Sequence, residues 1–196
     1  MRFSIVSILA AASMSIAAPA PAATDAPAAG YGIEAFSWSI EVAPGQTEVL
    51  NGTIEEVVAQ AVAINPEFSI LSAASKRDVE ARDLTKRYNL ICGNFPAANK
   101  GRIQEGINYL KSLPSGERPT NGPGPGNCGR VSCSYGAAIW WCNDNTFSYS
   151  PGHWDTIAWS AQYLIDNCAS GSSVVSGQRF ENADNKWNTI VRGNNC

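Results

Sequence analysis

Residues 129–143 read GRVSCSYGAAIWWCN, and the alternation within them decides the fold. Val131, Cys133 and Tyr135 fall on one side of an extended chain, Gly136 interrupts, and Ala138 to Cys142 return, which predicts a β-hairpin. Trp140 and Trp141 are adjacent, so in a strand they point to opposite faces. One is expected in a core. The other is expected on the outer face, packed within the protein or meeting a partner.

The pattern changes period on either side of this hairpin. Upstream, Ile103, Ile107, Leu110 and Leu113 recur at spacings of four, three and three, which predicts a helix from about Lys100 to Leu113. Asn99 suits its cap and Pro114 ends it. Residues 114–127 (PSGERPTNGPGPGN) carry turn residues and no period. Downstream, Trp154, Ile157, Ala158, Ala161, Leu164, Ile165 and Cys168 make one apolar stripe, a second helix from about Pro151 or His153 to Cys168. Ser150 is its expected cap, with Pro151 in the first turn. Off the stripe, Trp159 and Tyr163 stand four residues apart and are neighbours on the helix surface, a candidate contact patch. Val174 to Phe180 (VVSGQRF) and Trp187 to Arg192 (WNTIVR) complete the pattern as two short strands. The order helix, strand, strand, helix, strand, strand predicts an α+β fold, two helices on one face of a small antiparallel sheet.

All six cysteines, Cys92, Cys128, Cys133, Cys142, Cys168 and Cys196, lie in this half. An even count in a short domain predicts three disulfides, with 15 connectivities open. The absence of a CxxC pair and the presence of a single histidine argue against zinc, and no cofactor motif occurs.

The first half is different material. Residues 1–17 have the pattern of a signal peptide, with Arg2 before an apolar run from Ile5 to Ile16 and small residues near Ala17. No later run is long and apolar enough to span a bilayer. Residues 18–30 (APAPAATDAPAAG) read as a linker and residues 31–43 as a loose strand. The stretch Thr53 to Ile64 is amphipathic, with Thr53 and Glu56 placed as a capping box. Asn51-Gly52-Thr53 is a glycosylation acceptor. Residues 18–87 hold ten acids against five bases, whereas residues 88–196 hold seven against eight. At the boundary stand Lys76-Arg77 and Lys86-Arg87, the substrate pattern of kexin-type processing proteases. The expected organisation is a signal peptide at 1–17, a pro-region at 18–87 and a mature six-cysteine domain at 88–196. The pro-region would serve as a chaperone, an inhibitor or a spacer.

A small net charge of −3 gives no footprint for nucleic acid. The only histidine, His153, would be the base of a small hydrolase or ribonuclease, with Glu105, Glu117, Glu181, Arg130 and Arg179 as available helpers, but no spacing selects them. The carboxylates sit in polar segments such as Asn143-Asp144-Asn145, which read as solvated turns.

A secreted precursor with a Lys-Arg site followed by a cysteine-rich α-β-β-α-β-β domain resembles fungal small secreted, effector-like and killer-toxin-like proteins. The element order is similar to the KP4 killer-toxin fold and the related Hce2 domain of necrosis-inducing effectors. The resemblance implies an extracellular, non-enzymatic protein acting on a host or competitor cell-surface component, protein or glycan. Trp159, Tyr163, Trp140, Trp141 and Arg130 are the expected contact residues, with Lys86 and Arg87 meeting the processing protease. The other readings are an extracellular carbohydrate-binding module, whose tryptophans would stack on sugar rings, and a small secreted hydrolase.

Overall fold

Tyr135 and Gly136 both have positive φ, 48° and 78°, two consecutive left-handed residues as a two-residue hairpin turn of type I′ requires. They join the strands Asn127–Ser134 and Ala137–Asn143. Tyr135 is therefore a turn residue and not a member of the alternating strand. The computed structural model describes residues 26–70, 89–113, 118–169, 171–182 and 186–196. The expected signal peptide and both dibasic pairs lie outside these residues.

In chain order the elements are β1 Gly32–Ile33, β2 Ser37–Ala43, β3 Gln46–Asn51, α1 Ile54–Ile64, β4 Asn89–Cys92, β5 Ala98–Asn99, α2 Lys100–Ser112, β6 Asn127–Ser134, β7 Ala137–Asn143, α3 Trp154–Cys168, β8 Val174–Val175, β9 Gly177–Asn182 and β10 Lys186–Gly193. The main sheet has the order β1-β6-β7-β10-β9-β4. It is antiparallel throughout except at β1, which runs parallel to β6. Two small pairs, β2-β3 and β5-β8, stand apart from it.

The architecture is thus mixed α/β with three helices among the described residues, where the sequence led us to expect two on an antiparallel sheet. α1 contacts β6, α2 contacts β7, and α3 contacts β9 and β10. All three helices feed one core that includes Val131, Ile139, Trp141, Trp187 and Val191. The extra helix is the amphipathic stretch after Thr53, whose N–H donates to Glu56 Oε2 at 2.7 Å, the backbone half of the capping box. Asn99 caps α2 as expected, accepting from the Arg102 N–H at 3.2 Å. α3 starts at Trp154, one residue beyond the later of the two expected starts, and its cap position is His153 rather than Ser150.

The N-terminal segment is built into this core. Phe36, Trp38, Ile40, Val42, Leu50, Ile54, Val57 and Ala61 belong to the same buried cluster as the side chains of α2, α3 and the sheet. Phe36 stacks on Trp141 with ring centroids 5.6 Å apart. Trp38 stacks on Trp154 at 4.0 Å. Gly129 makes room for the Phe36 ring, which a Cβ there would overlap. Glu55 of α1 accepts from Ser132 Oγ at 2.5 Å and from the Cys133 N–H at 2.9 Å. Residues 26–30, read from sequence as the end of a linker, run over the opposite face of the sheet, where the Pro27 carbonyl accepts from Arg192 Nη1. Asn51, the glycosylation acceptor, ends β3 with its side chain exposed and accepting from Ser37 Oγ at 2.6 Å.

The six cysteines form three disulfides, Cys92–Cys168, Cys128–Cys142 and Cys133–Cys196. The first joins β4 to the end of α3, the second crosses the β6-β7 ladder, and the third ties the last residue to β6. Replacing Cys92 and Cys168 by alanine is expected to cost about 2–4 kcal/mol. The cost should exceed that of the Cys128–Cys142 pair, because a separation of 76 residues is closed rather than 14 and the short loop is already held by strand pairing. Denaturant midpoints of the two double variants test the order.

Candidate functional site

The outer face of the sheet, opposite the helices, gathers polar groups. β10 and β9 place Asn188 beside Phe180 and Ile190 beside Gln178, and alternation along each strand puts all four on this face. Gln178 Nε2 donates to Asn188 Oδ1 at 3.0 Å and to the Tyr31 hydroxyl at 3.2 Å. Asn188 Nδ2 donates to Asp144 Oδ2 at 2.7 Å, and the Gly126 N–H donates to Asp144 Oδ1 at 3.2 Å. Ala29, Gly30, Tyr31, Pro125, Gly126, Asp144 and Phe180 line an open cavity of about 350 Å³ above this chain of bonds. Its walls come from three separated parts of the sequence, around residues 29–31, 125–144 and 180.

Asp144 is held in place by buried amides on either side. Asn143 donates to the carbonyls of Gly122 and Phe147 at 2.7 and 2.8 Å. Its Oδ1 accepts from the backbone and side-chain amides of Asn145 at 2.9 and 2.8 Å. Asn145 in turn bonds the backbone of Lys186. The segment Asn143-Asp144-Asn145, expected to be a solvated turn, is instead a rigid polar knot: both asparagines are buried and Asp144 is half-buried. Nothing in the sequence separates these cases, since turns and satisfied buried networks use the same residue types.

Burial raises the Asp144 carboxyl above the ordinary aspartate range, opposed by its bonds from Asn188 and Gly126. Burial, and next the Asp144 charge, raise the Tyr31 phenol. A carboxyl that titrates higher in the fold than in the unfolded chain binds more protons folded than unfolded between the two values. Its contribution to stability is therefore greatest at acid pH and is lost as pH rises past the ordinary aspartate pKa of about 3.9. Asp144→Asn cannot ionise. Urea midpoints between about pH 3 and 7 should show the native protein losing stability relative to this variant as pH rises; a relative gain would reverse the assignment.

The residues expected from sequence to make contacts are placed elsewhere. Trp141 is buried on the helix side and Trp140 on the outer side, with 0% and 1% of their surfaces exposed. Both belong to the core and neither presents a contact surface. Arg130 lies with its guanidinium 5.6 Å from the Trp140 ring and donates to the Asn195 carbonyl at 2.8 Å. Trp159 and Tyr163 are half-buried and sit over Arg179, whose guanidinium lies 4.2 and 4.5 Å from their ring centroids. This patch covers an internal cation. His153 contributes its carbonyl to the Thr156 N–H at 3.0 Å, and its Nδ1 is buried without a hydrogen bond among the described residues. Two exposed aromatics were missed by sequence reasoning: Tyr135, 80% exposed at the hairpin tip with Arg102 stacked at 4.1 Å, and Phe147, 55% exposed.

A second cavity of about 380 Å³ lies between the β2-β3 hairpin and residues 65–70, with Ile40, Val42, Phe68, Ile70 and Leu113 in its walls. We place the candidate site in the outer-face cavity because carboxyl, phenol and phenyl groups converge there. Among the described residues no group of three or more His, Cys, Asp or Glu could hold a metal ion. No described helix is long and apolar enough to cross a membrane.

Fold and site together define a disulfide-braced, mixed α/β protein with a polar-aromatic cavity on the sheet face opposite its helices. No protein-family model, no curated protein and no solved structure matches the chain.

Proposed function

We propose that this chain is a secreted, effector-like or killer-toxin-like interaction protein that works by contact with a component of another cell's surface rather than by turnover. Export fits the N-terminal sequence pattern and the three disulfides. The observation that carries the contact reading is the outer-face cavity. Its polar groups are fixed by one another and by a sheet that a disulfide crosses, so little conformational freedom is lost on binding.

The same side chains favour a glycan as the surface component, the second reading raised by the sequence. The Asp144 carboxylate and the Tyr31 hydroxyl suit neighbouring sugar hydroxyls, and the Phe180 and Tyr31 rings suit the apolar side of a pyranose. Purified oxidised protein should bind intact cells or polysaccharide from their walls. Asp144→Asn and Tyr31→Phe should each weaken binding by about tenfold or more, the loss of one bond to a charged or buried partner. Binding unchanged in both variants would remove this cavity from the mechanism. Binding to protein-stripped walls would select the glycan.

A further inference from the structure

Both halves of the chain build the core and the cavity, yet no cysteine lies in residues 26–70 to tie them together. We infer that cleavage between the halves leaves residues 26–70 bound to residues 89–196, so that the processed protein is a non-covalent two-chain molecule. A kexin-type protease would hydrolyse the Arg87–Tyr88 peptide bond with one water, leaving a carboxylate on Arg87 and an amine on Tyr88. The expectation of a discarded pro-region is thereby replaced. The inference uses the export and processing part of the proposed reading and is independent of what the cavity binds.

Three kinds of contact hold the segment. The first is apolar: Phe36 on Trp141 and Trp38 on Trp154 are buried stacks. Departure of the segment would bare both tryptophans beside Val131, a contiguous apolar patch unsuited to a soluble product. The second is backbone pairing. Gly32 N–H donates to the Gly126 carbonyl at 2.8 Å, and Glu34 N–H to the Cys128 carbonyl at 2.7 Å. The third is charge-assisted bonding. Glu34 Oε2 accepts from Gly122 N–H and Asn127 Nδ2 at 2.8 and 2.7 Å, while Glu55 accepts from Ser132 and Cys133. Such bonds are the stronger class. The segment also supplies Tyr31 to the cavity opposite Asp144 and Phe180, so the site is incomplete without it.

The test uses the full chain with its disulfides formed. After treatment with a kexin-type protease it is run on a native sizing column, and the peak is then weighed under denaturing conditions without reductant. We expect one native peak near the position of the uncut protein, containing an N-terminal fragment ending at Arg77 or Arg87 and a second chain starting at Tyr88. Glu55→Ala leaves the core in place and should raise the fragment's dissociation constant about tenfold or more, read as release on dilution. The inference falls if the wild-type fragment elutes separately while residues 88–196 remain soluble, or if the folded chain resists cleavage at the dibasic pairs. Cell binding could fail with the two chains still co-eluting, which would count against the contact function alone.

Discussion

Trp38→Ala in the uncut protein is expected to lower the stability of the entire fold, the six-cysteine half included, by about 3–5 kcal/mol. Trp38 is 1% exposed, stacks on Trp154 at 4.0 Å, and meets Phe36 edge-on at 6.4 Å. Its indole N–H donates to the Gly52 carbonyl at 2.7 Å. Truncation removes the ring, opens a cavity against α3, and orphans that carbonyl. What distinguishes a shared core from two adjoining domains is where the loss is felt. With a shared core, near-ultraviolet signals from the β6-β7 tryptophans and the tyrosine of the hairpin turn should unfold at one lowered denaturant midpoint together with the far-ultraviolet signal. With separate domains, the disulfide-braced half would keep its own, unshifted transition. That result would also weaken the case for a retained N-terminal segment.

Much of the C-terminal half was legible because its elements have clean periods. Ile103, Ile107 and Leu110 all proved to be buried on one face of α2, and Trp154, Ile157, Ala158, Ala161, Leu164 and Ile165 on one face of α3. The two terminal strands lie where alternation put them, with VVSGQRF divided into β8 and β9. What was not legible depends on long-range pairing. β1 is only two residues long, and its parallel partner lies more than ninety positions away; no local pattern announces such a bridge. The cysteines mark where the covalent links are, and those end at Cys92. The apolar core does not end there. Covalent and packing boundaries are set by different forces, disulfide geometry and buried area, and here they disagree over residues 26–70. The site was missed for a related reason. Asn143, Asp144 and Asn145 are ordinary turn residues by type, and only the placement of Gly122, Phe147 and Lys186 around them turns a loop into a satisfied network.

Arg179→Ala is the second substitution expected to be severe, at about 3–5 kcal/mol. Arg179 lies on β9 opposite Thr189 of β10 and Leu90 of β4, in the interior of the sheet, and its side chain is fully buried. Alternation places Glu181 on the same face two residues on, and Arg179 Nη1 lies 3.1 Å from its carboxylate. The Trp159 and Tyr163 rings close over the guanidinium, and such a desolvated stack adds about 2 kcal/mol. Alanine would leave Glu181 charged and half-sealed without this cation, and would leave both rings over a void. Three substitutions separate the causes. Arg179→Met fills the volume without charge and, with Glu181→Gln beside it, should recover most of the loss, because a buried pair replaced by apolar groups of similar size is often neutral. Arg179→Lys keeps the charge but loses the planar group that two rings can sandwich, so it should fall between alanine and the native protein. Equal damage from alanine and lysine would assign the stability to the flat stack. Equal stability of lysine and the native side chain would assign it to charge alone. In either case the aromatic pair on α3 is the cover of an internal cation, and its spacing of four residues is explained by the guanidinium beneath it.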